Sequence, residues 1–139
     1  PAQEAVQGMF DTVPEDMLRI ESPPMADYFE SYLSMAPHIL VRFGKWDEAM
    51  ALDLPKDPDL FRTLTANTHY ARAIGYAATG DVARAEAEEQ LFLAACDRVP
   101  ETRLLHNNRI VDLLEIIQIE QHDCRTVLEV IPEFLEYLG

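Results

Sequence analysis

The sequence predicts an all-α fold, an α-solenoid of about three stacked helical hairpins, on three observations. A helix opened by proline runs to a break at nearly constant spacing. Ser22-Pro23 leads to Gly44, Asp57-Pro58 to Gly80-Asp81 and Val99-Pro100 to His122-Asp123, at separations of 21, 22 and 22 residues. Proline suits a first helical position, where its missing N–H would have no partner anyway, and glycine past the last turn takes the left-handed conformation that ends a helix. Between these signals apolar residues recur at three- and four-residue steps. No run of β-branched and aromatic residues alternates between turn signals, so no strand is expected anywhere.

Taken in order, residues 1–20 read as the remnant of an earlier helix and its connector, with Val13-Pro14 repeating the opening signal. Residues 23–43 form a helix that Pro37 must kink or restart, and residues 46–54 make a short partner. Asp57 caps and Pro58 starts the central helix, which runs through Phe61, Leu64, Thr65, Thr68, His69, Arg72, Ala73 and Tyr76 to Gly80. Asp81 caps a second helix to about Arg98, with Val82, Ala85, Phe92, Cys96 and Val99 on one stripe and Glu86, Gln90 and Asp97 opposite. Residues 100–121 and 124–138 repeat the plan, with a break at Pro132. His106-Asn107-Asn108 falls inside the third long helix. Asparagine is a poor helix interior, so the triplet either caps a helix restarted at Arg109 or supplies polar contacts, and capping is the preferred reading.

With 139 residues the chain buries enough surface for one continuous core, and one domain spanning residues 1–139 is expected. At 48% hydrophobic against 26% charged it is too apolar for a disordered chain, and no uncharged run reaches the roughly 18 residues of a membrane span. The chain opens on Pro1 without a basic-then-apolar leader, which leaves open a removed leader or a piece of a longer protein. The net charge of −14 is concentrated at the ends: residues 1–30 carry seven acids against Arg19, and residues 111–139 carry seven against Arg125. Such a surface repels phosphate backbones and anionic lipid, so neither nucleic acid nor membrane is an expected partner, and a solvated acidic face is the simplest reading. Cys96 and Cys124 lack C-x-x-C spacing and read as reduced core thiols, consistent with a reducing, cytoplasmic setting.

Gly44-Lys45-Trp46-Asp47-Glu48-Ala49 and Gly80-Asp81-Val82-Ala83-Arg84-Ala85 both resemble the Gly-Asp-x-x-x-Ala turn of the tetratricopeptide repeat. There the glycine ends the first helix, and the alanine lets the second pack tightly. The wider phrases from His38 to Trp46 and from His69 to Gly80 resemble a group of bacterial repeat proteins of poorly defined role, over roughly residues 37–117. The resemblance implies a right-handed stack belonging to a longer solenoid. It departs after Ile117, where His122 stands in place of a glycine.

The resemblance also locates candidate sites. In these repeats the first-helix positions held here by His69, Arg72 and Tyr76 are apolar and face a second-helix position, usually aromatic, held here by Glu89. A buried Arg72–Glu89 pair assisted by His69 and Tyr76 would satisfy every group and fix hairpin register; a ligand site is the alternative. Aligned on the turns, the concave face offers His38, Val41 and Arg42, then Tyr70, Ile74 and Ala77, then Asp112, Ile116 and Ile119. An apolar floor between a cation and a carboxylate suits a peptide or an amphipathic helix, and packing against further repeats is the equal alternative.

No metal or other cofactor is expected. His38, His69 and His106 lie 6, 11 and 16 residues before their helix stops, so neighbouring imidazoles slide about 7.5 Å along helices about 9 Å apart, far from a shared first shell. No nucleophile motif or glycine-rich phosphate loop appears. The expected function is a non-enzymatic module that binds a protein or peptide segment on its concave face, with self-association through the solenoid ends possible. The runner-up is a small-molecule-binding or hydrolytic site built from His38, Arg42, His69, Arg72 and Glu89.

Overall fold

The computed structural model describes Glu4, Gly8 and residues 12–118, and these are mostly helical. The elements are α1 (Glu15–Leu18), α2 (Met25–Leu33), α3 (Met35–Arg42), α4 (Trp46–Met50), α5 (Arg62–Ala78), α6 (Val82–Cys96), β1 (Leu104–Leu105) and β2 (Asn108–Arg109), followed by a helix α7 over residues 110–118. The readings of Ile119, His122, Cys124, Pro132 and the helix over residues 124–138 lie outside the described residues.

The predicted proline break falls three residues before Pro37. In an unbroken helix its ring would clash with the Leu33 carbonyl and it has no N–H to donate there, so the helix stops at Leu33 and restarts after Ser34, whose N–H and hydroxyl both donate to the Glu30 carbonyl at 3.2 Å. The two glycine stops share one geometry. Gly44 (φ 63°) and Gly80 (φ 82°) are left-handed. The following N–H reaches back five residues, from Lys45 to the Leu40 carbonyl at 2.9 Å and from Asp81 to the Tyr76 carbonyl at 2.9 Å, closing the same Schellman turn twice. Asp81 caps α6 through the Arg84 N–H at 3.1 Å. Asp57 caps only a turn, accepting from Leu60 N–H at 3.1 Å, and α5 proper begins at Arg62.

The central helix α5 packs most extensively on α6 and also meets α2, α3 and α4. Every residue from Thr63 to Ala71 is buried, so the helix is enclosed on all sides for more than two turns. Its threonines tolerate this by bonding back along the helix: the Thr65 hydroxyl donates to the Phe61 carbonyl at 2.7 Å and Thr68 to Leu64 at 2.8 Å. The core joins Ala49, Ala66, Tyr70 and Ala71 to Phe92, Ala95, Val99, Ile110, Leu114 and Ile117. Where α4 crosses α5, a Cβ on Gly75 would stand 2.8 Å from Met50 Cγ and 3.2 Å from the Trp46 carbonyl oxygen, so only glycine permits the approach.

The third predicted long helix is not one helix. After Pro100 a turn leads into a two-residue hairpin, Leu104 opposite Arg109 and Leu105 opposite Asn108, with His106 at φ 55° in its loop. The same His-Asn-Asn triplet that weakens a helix supplies the left-handed and turn-forming residues of a tight β-turn, and the absence of strands is corrected accordingly. Helix α7 starts just after the triplet. Val82 is also corrected: it is 54% exposed and off the core stripe. Among the described residues no helix is long and apolar enough to cross a membrane.

Gly75→Ala tests the α4–α5 crossing. Helix propensity alone favours alanine by about 1 kcal/mol, whereas displacing Met50 and the Trp46 carbonyl costs about 1–3 kcal/mol, so a net loss of stability is expected in chemical denaturation, larger for Gly75→Leu. A stabilised Gly75→Ala would refute the close crossing.

Candidate functional site

Two polar clusters lie inside the helical framework. The first sits in the α5–α6 seam. His69 Nδ1 lies 2.6 Å from Glu88 Oε2, and an Arg72 terminal nitrogen lies 3.5 Å from Glu88 Oε1. Arg72 also donates through Nε to the Leu52 carbonyl at 2.9 Å, with Nη2 bonded to the same oxygen, which ties the end of the α4 segment to α5. The partner is therefore Glu88, not Glu89. The inner face of α6 runs through Ala85, Glu88, Phe92 and Ala95 and on to Val99 beyond it, where Val82, Ala85, Phe92, Cys96 and Val99 were expected with Glu89 at their level, and this brings Glu88 round to His69. Tyr76 belongs elsewhere: the Arg84 guanidinium stacks 4.6 Å above its ring and bonds Asp81 at 2.5 Å. That pairing holds the Asp81 carboxyl below the usual carboxylate range and lifts Arg84.

The residues assigned to a concave face do not gather into one exposed surface. Tyr70 is 6% exposed, its ring 5.3 Å from that of His38 and 6.2 Å from that of Phe92, so it is core and not groove lining. The reason is α7, whose Ile110, Leu114 and Ile117 join the same core. Ile74 packs half-buried against this core, while Arg42 and Ile116 are exposed. Asp112 is gripped by Arg109 through two hydrogen bonds of 2.6 and 3.0 Å.

The second cluster went unread in the sequence. Helix α5 has Phe61 at its N-cap, no side-chain cap and no acid in its first turn. Glu30, fully buried on α2, supplies the missing acceptor: its Oε1 takes the Leu64 N–H at 2.7 Å. Its Oε2 accepts from Arg103 at 2.8 Å, and Arg103 further donates to the Ala26 carbonyl at 3.1 Å and the Leu60 carbonyl at 3.2 Å, with Nε 3.1 Å from Asp27 Oδ1. Burial raises the Glu30 pKa above its ordinary value of 4.5, while the Leu64 N–H, neighbouring Thr63 and the Arg103 charge pull the other way. The only sequence signal was Glu30 itself, standing among Ala26, Phe29 and Leu33 at core spacing.

Cys96 is half-buried, and loss of solvent pushes its thiol up to about 12, leaving it protonated and unreactive. Among the described residues no three His, Cys, Asp or Glu side chains are placed to hold a metal ion. Comparison of the chain with protein-family models, curated proteins and solved structures finds no match.

Glu88→Ala is expected to lower stability by about 1–3 kcal/mol by leaving His69 without its acceptor and Arg72 with the Leu52 carbonyl alone, and Glu89→Ala by less, as read from urea titrations. Equal losses would place the partner back at Glu89. The Glu30 site predicts a pH dependence. Because native Glu30 holds its proton to higher pH than the unfolded chain does, its contribution is fully present below about 4.5 and is lost as pH rises through the elevated native value. The stability of the wild type relative to Glu30→Gln should therefore fall with rising pH above 4.5. A difference that grows with pH would overturn this sign.

Proposed function

We propose that the protein is a non-enzymatic interaction module, a tetratricopeptide-like right-handed stack of helical hairpins that binds a protein or peptide segment. The repeated Schellman turns at Gly44 and Gly80, and Ala49 fully buried at the alanine position of the first turn, support the stack. The observation that carries the binding role is an open groove of about 510 Å³ walled by Leu18, Ile20, Pro24, Ala26 and Leu60, with Arg19 and Glu21 at its edge. That volume takes a few peptide side chains.

The occupant follows from charge. Glu21 lines the groove, and the one base there, Arg19, is already engaged by Glu15 and lies 2.8 Å from Asp57, on a chain of net charge −14. An extended segment that places one apolar side chain against Ile20 and Leu60 and an adjacent Lys or Arg beside Glu21 is complementary to it. The runner-up small-molecule site has weaker support, because His69 and Arg72 are spent on Glu88 and Leu52, the His38 ring packs tilted against Tyr70, and Arg42 stands in solvent.

Peptide display against the intact protein should select sequences with Leu, Ile or Phe next to Lys or Arg. Ile20→Glu should weaken the selected peptides about tenfold or more without lowering Tm, and added salt should weaken them further. No enrichment, or binding indifferent to Ile20→Glu, would reject the groove.

A further inference from the structure

The groove beside α1 and the buried clasp at Glu30 share two residues. Ala26 and Leu60 both wall the groove, and their carbonyls are the two that Arg103 binds, through Nη1 at 3.1 Å and Nη2 at 3.2 Å. Arg103 is 6% exposed and does not line the groove, so it acts from behind the walls. Its own backbone is fixed at the base of the β-hairpin, where its N–H donates to the Pro100 carbonyl at 3.1 Å and its carbonyl accepts the Ile110 N–H at 3.0 Å. The Leu60 wall exists because α5 does not continue back to it. In an unbroken helix the Leu64 N–H would donate to the Leu60 carbonyl. Here Leu64 donates to Glu30 Oε1 at 2.7 Å and Leu60 accepts from Arg103, whose Nη1 returns to Glu30 Oε2 at 2.8 Å. The ion pair stands in the place of one helical hydrogen bond and leaves Leu60 outside the helix, on the groove.

Given the peptide-binding role of the groove, on which this rests, we infer that Arg103 is its positioning residue: the guanidinium fixes the Leu60 wall against the α2 wall, and peptide binding is coupled to closure of the clasp on Glu30. The α1 side is held locally, since the Met25 N–H donates to the Ile20 carbonyl at 3.0 Å and pins the turn between α1 and α2. The Leu60 wall has no such local tie to α2. Arg19 reaches Asp57 at 2.8 Å, but both side chains stand partly in water, where an ion pair holds little. What spans the walls is a fork and not merely a charge. Two carbonyls from separate segments and one carboxylate oxygen take their donors from one rigid plane, an arrangement that an ammonium on a flexible stem does not reproduce. Arg103→Lys therefore keeps a cation beside Glu30 and Asp27 and releases the spacing of the walls.

The probe is a peptide carrying Leu next to Lys, selected on the full chain, with its affinity read from the Ala26 and Leu60 methyl signals in NMR titrations. Arg103→Lys should still unfold cooperatively but bind the peptide about tenfold or more weakly. Glu88→Ala, which loosens the α5–α6 seam away from the groove, should leave the affinity unchanged, so that lost stability is separated from lost positioning. Wild-type affinity in a folded Arg103→Lys, or an equal loss in Glu88→Ala, overturns the role of Arg103, while sensitivity to Ile20→Glu shows that the groove itself stands. A wild type that binds no such peptide overturns the groove and the positioning role with it. Should Arg103→Lys fail to fold, amide exchange in the wild type decides. Peptide at about 100 times its Kd should slow exchange at Leu64, which touches Glu30 and not the groove, by about 100-fold, because opening the clasp releases the peptide. Exchange at Leu64 that is indifferent to the peptide overturns the coupling.

Discussion

A carboxylate stripped of water is costly unless its oxygens find donors, and those of Glu30 find theirs only through residues far away in the chain. One oxygen caps the bare N-terminus of α5 through Leu64, and the other takes Arg103. Arg103 in turn fastens the Ala26 and Leu60 carbonyls. Three segments meet at one charge pair: α2, the start of the enclosed central helix, and the stretch leading into the β-hairpin. The position of α5 sets the α6 seam and the α4 crossing, so the rest of the packing inherits its geometry from this contact.

Much of the helical plan was legible in the sequence because its signals are local. Gly44 and Gly80 stop helices, Pro37 interrupts one and Asp81 caps another, each through atoms within five residues. What escaped was set by tertiary contact. The choice of Glu88 over Glu89 depends on the rotation of α6 about its axis, a difference of one position that a stripe interrupted by acids does not fix. The His106-Asn107-Asn108 triplet announced a departure from helix but not its form, since a two-residue hairpin and a helix cap use the same residue types. The Glu30 cap bridges 34 residues to Leu64 and 73 to Arg103, and no local pattern encodes such a partner.

The two internal clusters and the surface groove divide the chemistry of the molecule. Inside, His69, Arg72 and Glu88 satisfy one another and a backbone carbonyl, which fixes register and leaves little to offer a ligand. The concave face that the repeat pattern implied is filled where α7 folds against Tyr70 and Phe92. The groove by α1 keeps apolar walls and an acidic edge open to solvent. The groove we propose for binding therefore lies beside α1, away from that filled face.

The clasp at Arg103 also bears on how the chain can be divided. Both helical hairpins are complete by Cys96, and a boundary drawn after Val99 looks natural on secondary structure alone. Yet a piece ending there would keep Glu30 in its apolar setting without its cation and would lose the Ile110, Leu114 and Ile117 layer from the core. The contact closes a loop of 73 residues, so it is non-local, and the hairpin segment is part of what holds the N-terminal helices. The hairpin segment belongs to the packed unit as a fastening and not as a linker.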